Sequence, residues 1–417
     1  MQALDDLPRP VHRLHAPAGA LQAGRKLSVP PRQRVAAIDF AEFASRLGTG
    51  ERRLPIDGVL ETTFRCNLSC AHCYVNRPAG DRLARAQELP LSRLLELVDE
   101  MAAAGCLHLV LTGGEVLVRP DFALLYVHAV RRGLLVTVFT NGTLVDEATA
   151  DLFDEHRPQA VEVTLYGMTP QTYDSVTGQA GAHARCLAGV RRLLARGLRV
   201  RLKTMVLRSN RHEVLAMQEL AEGLGLEFRY DGMLNARVDG AAGRVRELQL
   251  AAQDLVALDR AAPRAAAELA DFCARHVPRQ PCLEQEPLFV CGAGRTSFAV
   301  DPTGRLLPCL LVRRTSVDLR QAPFLQGWRA LSSQIASRTW RRDSSCRSCS
   351  LTALCGSCPG AAELETGDPE GVVATFCEVA HRRAAVFMGE ASGHRADASC
   401  CRPPAPGPEA AGEGCEP

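Results

Sequence analysis

The chain has 417 residues, of which 46% are hydrophobic and 23% charged, ordinary globular values that exclude a largely disordered protein. Its 49 basic and 47 acidic residues leave a net charge of +2, so composition gives no reason to expect nucleic acid or an anionic membrane as partner. Seventeen cysteines are too sparse for a small disulfide scaffold, which runs above roughly 8% cysteine, yet enough for several metal sites.

In chain order, residues 1–55 are rich in Pro and Arg, with one short predicted helix around Ala36–Arg46, and read as an N-terminal arm. No signal-peptide core appears, and no stretch reaches about 18 apolar residues. The expected location is therefore cytoplasmic, where clustered cysteines bind metal more often than they pair. From Gly58, short apolar runs alternate with amphipathic stretches. The runs are Gly58–Thr62, Leu107–Leu111, Leu134–Phe139, Ala160–Leu165, Arg199–Val206 and Glu227–Tyr230. Between them, helices are predicted near Leu91–Ala104, Phe122–Arg132, Asp146–Glu155, Ala184–Arg196 and His212–Leu224. Such β-α repetition predicts a parallel sheet with helices outside it. Six units suit an open β/α barrel or a doubly wound sheet. An Ala-rich helical segment, Leu248–His276, interrupts the alternation. Beyond Pro281 come short Cys-rich pieces that bury little core, so metal is expected to hold them together. Residues 389–417, with Cys400, Cys401 and Cys415, read as a disordered tail.

The first cysteine cluster, Cys66-Asn-Leu-Ser-Cys70-Ala-His-Cys73, follows the first predicted strand directly. A zinc loop or a few buried thiols is one reading, although structural zinc needs four ligands and only three lie together. The other is a four-iron cubane that leaves one iron free of protein ligands. This C-x3-C-x2-C loop, with His72 before the third cysteine, resembles the signature of radical S-adenosylmethionine enzymes. Thr112-Gly113-Gly114-Glu115 stands at the end of the second predicted strand. There it is similar to the family's Gly-Gly-Glu motif, which receives the methionine ammonium. Glycines permit close backbone approach, and a carboxylate pairs with a cation. Asn141 after the third strand and Thr164 at the end of the fourth match positions that contact the ribose and methionyl groups in the family.

The second cysteine region runs Cys291, Cys309, Cys346-x2-Cys349, Cys355-x2-Cys358 and Cys377. Zinc ribbons also use C-x2-C pairs, but seven thiolates do not divide into tetrahedral sites of four. The region resembles the SPASM extension, which binds one or two auxiliary [4Fe–4S] clusters. It departs from many relatives in having two rather than three residues between Cys355 and Cys358. The resemblance implies an outer cluster on Cys346, Cys349, Cys355 and Cys377. It implies an inner one on Cys291, Cys309 and Cys358, with Cys282 placed by count as the fourth ligand. Cys106, Cys186 and Cys273 read as small buried apolar residues.

The resemblance implies a partial (β/α)6 TIM-like barrel at 56–245, a helical linker at 246–281 and a Cys-rich auxiliary-cluster domain at 282–388. It implies a [4Fe–4S] cluster and S-adenosylmethionine as cofactors, reductive cleavage to a 5′-deoxyadenosyl radical, and hydrogen abstraction from a substrate. The catalytic cysteines would be Cys66, Cys70 and Cys73. The extension points to a ribosomally made peptide or protein as substrate. The alternatives are a small molecule such as a tetrapyrrole side chain, or an iron–sulfur scaffold without radical chemistry. An electron donor such as flavodoxin or ferredoxin and a separate leader-peptide-binding protein are expected partners. Tyr166, Lys203, Tyr230, Asp231 and Arg237, at or near predicted strand ends, are candidate substrate contacts.

Overall fold

The computed structural model describes residues 53–388 apart from 76, 239–242, 278–286, 343, 345 and 357. The expected arm helix at 36–46, the tail and Cys282 lie outside the described residues. The body is one nine-stranded sheet. Strands β1 (Asp57–Glu61), β2 (His108–Thr112), β3 (Leu135–Thr140), β4 (Ala160–Thr164), β5 (Val200–Met205) and β6 (Glu227–Asp231) lie side by side in chain order, all parallel. Each expected apolar run became one of them. On the other side of β1, β7 (Ser297–Val300) pairs in parallel, followed by antiparallel β8 (Arg305–Leu307) and β9 (Val317–Asp318). Three strands of the sheet thus come from the cysteine-rich part of the chain. The strand order is linear, with β9 at one edge and β6 at the other, so the barrel is open.

Helices α1 (Arg82–Gln87), α2 (Leu91–Ala103), α3 (Phe122–Arg131), α4 (Glu147–Glu155), α5 (Pro170–Thr177), α6 (Ala182–Ala195) and α7 (Val214–Gly223) lie in the crossovers. In α2 the buried residues Leu94, Leu97, Val98 and Met101 recur at helical spacing and form one apolar face. The fold is therefore the α/β, TIM-like partial barrel expected. The Ala-rich segment is not one helix but α8 (Gly243–Leu248), α9 (Ala252–Ala261) and α10 (Pro263–His276), because Pro263 cannot continue α9 and instead opens α10. Helices α11 (Phe324–Ala336), α12 (Thr352–Cys355), α13 (Pro359–Thr366) and α14 (Ala374–Phe387) complete the described chain. No helix among the described residues is long and apolar enough to cross a membrane.

The two faces of the parallel sheet differ in chemistry, and this positions the site. Leu109, Leu111, Val136, Val138, Val161, Val163 and Leu202 are all but fully buried on the helix side, each worth about 1.5–3 kcal/mol. The alternating residues line the inner face, where Glu162 meets Lys203 at 3.4 Å, Arg229 at 2.7 Å and Arg201 at 3.5 Å. Lys203 Nζ also lies 3.0 Å from the centre of the Phe139 ring. Burial lowers the Lys203 pKa to about 7 against the opposing pull of Glu162. A polar inner face on parallel strands is unusual for a structural core, and it opens toward the strand C-termini.

Candidate active site

The cysteine loop is held by backbone contacts on several sides. Arg65–Cys66 forms a two-residue parallel ladder with Arg77–Pro78, Cys66 opposite Pro78. Behind it, Gly114 N–H donates to Thr63 O at 2.7 Å and Glu115 N–H to Arg65 O at 2.9 Å. A Cβ on Gly113 would lie 2.2 Å from Thr63 O, and one on Gly114 2.3 Å from Arg65 O. Gly113 also has φ +138°, a conformation costly for other residues. The glycines therefore let the second strand's end lie directly against the backbone that leads into Cys66. From above, Ser69 N–H and Ala71 N–H donate to Thr177 O and Val176 O at the end of α5. Arg237 Nη1 donates to Cys73 O at 3.2 Å, and Val238 N–H to Tyr74 O.

Glu115 is buried, and desolvation raises its pKa although three donors oppose the shift. They are Asn141 N–H at 2.7 Å, Thr140 Oγ1 at 2.8 Å and Leu117 N–H at 3.2 Å. A carboxylate has about four acceptor positions, so one stays open to a further donor. Asn141 reaches the thiol itself: its Nδ2 lies 3.8 Å from Cys66 Sγ and donates to Asn67 Oδ1 at 2.9 Å. Asn67 in turn donates to Thr143 Oγ1 at 2.8 Å, and Thr143 donates back to Asn141 Oδ1. Thr164, half-buried, ends β4, and its carbonyl lies 3.4 Å from the Tyr173 hydroxyl.

Cys66, Cys70 and Cys73 gather at this rim. Burial pushes the Cys66 thiol up to about 12 and raises Cys70 as well, and neighbouring cysteines add to both shifts. Bare thiolates are thus disfavoured here, whereas a bound metal centre would stabilise them together. His72, its pKa lowered to about 4 by burial, leaves Nδ1 without a partner among the described residues, while Nε2 lies 3.3 Å from the Tyr166 hydroxyl. Among the described residues no trio of ligating side chains closes on one point as a single ion requires. A four-iron cluster instead spreads its thiolates over separate irons. The residues fit that group.

Of the substrate candidates, Lys203 and Tyr166 stand by the inner face, and Asp231 accepts from Met233 N–H at 2.8 Å. Tyr230 points the other way, donating to buried Asp259 at 2.9 Å, because the period-two alternation of β6 turns it toward the helices. Arg237 braces the cysteine loop. Sequence reasoning missed Glu61, fully buried at the end of β1, which accepts from Tyr74 at 2.9 Å and Arg313 at 3.0 Å. A charged residue closing an apolar run was its only signal.

In the second region, Cys291, Cys309 and Cys358 lie within mutual electrostatic reach, and burial raises Cys309 to about 11. Cys346, Cys349, Cys355 and Cys377 line one cavity, which Cys358 also borders. Trp340 lines it too, with Nε1 buried and unpartnered among the described residues. Cysteines and an orphaned donor around one cavity fit an iron–sulfur cluster as well. Cys106, Cys186 and Cys273 are buried, Cys273 in the small apolar cluster against which Cys349 and Cys355 pack.

Residues 60–221 match the profile of the radical SAM superfamily. The chain is 30% identical over 257 residues to the PqqA peptide cyclase of Ruegeria pomeroyi, covering 61% of this chain and 67% of that one. The chain belongs to the radical SAM superfamily. It is 27% identical over 330 residues to the AdoMet-dependent heme synthase of Methanosarcina barkeri, covering 74% and 92% of the two chains. In fold it is similar to Streptococcus suis SuiB bound to the precursor peptide SuiA, with TM-score 0.61, 18% identity, and 81% and 79% coverage. The enzyme's cofactors are accordingly a [4Fe–4S] cluster and S-adenosylmethionine.

Proposed function

We propose that this radical SAM enzyme modifies a ribosomally made peptide or protein, by cross-linking or oxidation. The observation that carries the reading is the pair of further thiol groups, Cys291/Cys309/Cys358 and Cys346/Cys349/Cys355/Cys377, on the extension whose strands continue the barrel sheet. Family members with such an extension most often act on peptides, and relatives named PqqA peptide cyclase agree. Two auxiliary [4Fe–4S] clusters are part of the proposal, as are the boundaries 56–245 and 282–388.

When bound, the cluster and S-adenosylmethionine supply a 5′-deoxyadenosyl radical by one-electron reduction. In this reading Cys66, Cys70 and Cys73 hold the cluster, and Asn141 Nδ2 steadies the Cys66 sulfur. The remaining acceptor position of Glu115 receives the methionine ammonium, an interaction favoured by the low dielectric that raises its pKa. Thr112 and Thr164 stand at the C-terminal ends of β2 and β4, and Lys203 on the inner face would contribute a charge. A protein electron donor and a separate leader-binding protein complete the system.

The likeness to the heme synthase, of which the chain spans 92%, favours a second reading, decarboxylation of a tetrapyrrole side chain. Anaerobic incubation with S-adenosylmethionine and reductant separates them. A peptide encoded beside the gene should lose hydrogens, as followed by mass spectrometry, while iron-coproporphyrin stays intact. Loss of carbon dioxide from the porphyrin and an unchanged peptide would reverse the choice.

A further inference from the structure

The chemistry of this family consumes an electron that must arrive from outside, so a surface near the cysteine loop must receive its carrier. We propose that α1 and the short strand before it form the docking face for an acidic one-electron donor protein, of the reduced-flavin or iron–sulfur class. The inference rests on the radical SAM reading.

Proximity is the first support. Pro78 is paired with Cys66, so this segment runs one strand spacing, about 4.8 Å, from a cluster cysteine. The chain then turns through Ala79–Gly80 into α1, capped by Asp81 on Ala84 N–H at 2.9 Å. No residue of α1 is buried, and Leu83 at its tip is 79% exposed. A six-residue helix gains little stability by itself, and here none comes from a buried side chain. An isolated exposed leucine is unremarkable. An unpartnered helix carrying one beside a cofactor loop is a surface awaiting a partner.

Charge supplies the partner's chemistry. Arg77, Arg82 and Arg85 are exposed on this segment. Arg82 and Arg85 have no ion-pair partner among the described residues, and Arg77 has only Asp81 at 3.8 Å. The nearby acids are turned to structural work. Glu88, with its side chain 7% exposed, is held by Arg65 through two hydrogen bonds of 2.8 and 3.0 Å. Arg192 and Arg196, half-buried on α6, are by contrast neutralised by Glu147 and Asp151. The uncompensated basic face thus stands beside the loop that must be reduced, where it would steer an acidic carrier.

The test compares two reductants on the full chain, reconstituted with iron and sulfide. In the Arg77→Glu/Arg82→Glu/Arg85→Glu variant, 5′-deoxyadenosine formation with dithionite should equal wild type. With a reduced flavodoxin at low salt it should fall at least tenfold. Wild-type flavodoxin-supported rates should drop as salt rises, because exposed charges are screened, and the variant should have lost that dependence. The milder Arg82→Gln/Arg85→Gln pair should show the same split to a smaller degree. Equal flavodoxin-supported rates in wild type and variants would overturn the proposal, including the case in which residues 1–52 of the chain itself cover α1. So would an equal loss with both reductants at unchanged iron content, which would assign the face to substrate or cofactor handling. If wild type forms no 5′-deoxyadenosine even with dithionite, it is the enzymatic reading that fails.

Discussion

The two cysteine regions reach their arrangements by different physics. Around Cys66 the backbone does the positioning: a ladder to Pro78, the Gly113–Gly114 contact with Thr63 and Arg65, and hydrogen bonds from Ser69 and Ala71 to the end of α5. None of these contacts uses a cysteine sulfur. Around Cys346–Cys377 the chain is mostly short helices and turns, and the cysteines share their cavity with apolar side chains such as Leu351, Val373, Phe376 and Ala380. The region's apolar clusters, Leu351/Leu354/Ala380/Ala384 and Ala361/Ala362/Val373/Phe376, are far smaller than the core of the sheet, so these thiols should depend more on what fills the cavity. The first site is built by the sheet, and the second is expected to be built with the metal we propose for it.

The strongest way to break this contrast is to remove the ligands on each side. Cys66, Cys70 and Cys73 replaced together by Ala should abolish 5′-deoxyadenosine formation and lower iron from about 12 to about 8 per chain, with little change in thermal unfolding. Iron chelation of wild type should instead expose the C-terminal region first, seen as rapid amide exchange in α12 and α14 while β2–β4 stay protected. Uniform loss of protection would show that the barrel, too, is assembled by its cluster.

The backbone's part in the first site is open to a smaller perturbation. A Cβ at Gly114 has only the backbone of Phe64 and Arg65 to displace, so Gly114→Ala should cost about 1–3 kcal/mol and shift Cys66. A denaturant titration and the iron content would read both effects. Gly223→Ala, at the exposed end of α7 with nothing within 4 Å, is the control and should leave iron unchanged and stability equal or slightly raised, alanine being the better helix former. Equal behaviour of the two variants would mean that the glycines are not what holds the loop.

The same asymmetry decided what could be foreseen. The six barrel strands were legible because their outward residues form apolar runs ending in turn residues, and the cysteine loop because its ligands are contiguous. Helix α5 was not, since Tyr173 and Val176 are its only large buried apolar positions and its start is marked by Thr169 and Pro170 alone. Also hidden were pairings between distant segments: Arg313 with Glu61 across 252 positions, and Arg237 on the Cys73 carbonyl. Such contacts follow from sheet order, which spacing along a sequence does not encode. Cys282 was placed by counting, because three thiolates leave a cubane one short. Cys282→Ala should lower iron from about 12 to about 8 while cleavage under dithionite persists. Unchanged iron would leave the inner cluster three-liganded and open to substrate.

The smallest expected effect probes the metal-built side most directly. Trp340 Nε1 is buried in the cavity that Cys346 and Cys349 line, with no acceptor among the described residues. An unsatisfied buried donor costs about 1–3 kcal/mol, a cost the fold can avoid if a cluster sulfur accepts the bond. Trp340→Phe largely keeps the ring's bulk and deletes the donor. Without metal, the variant should unfold at slightly higher denaturant than wild type, because the orphaned group is gone. With the cluster, donation toward sulfur favours the more negative, reduced state, so removing it should lower the auxiliary midpoint potential. A tenfold change in the one-electron equilibrium is about 59 mV, and the single neutral N–H should account for no more than that. Apo stabilisation without a shift in potential would place the donor in the cavity wall but away from the sulfur, and the cavity's occupant would then be held by its cysteines alone.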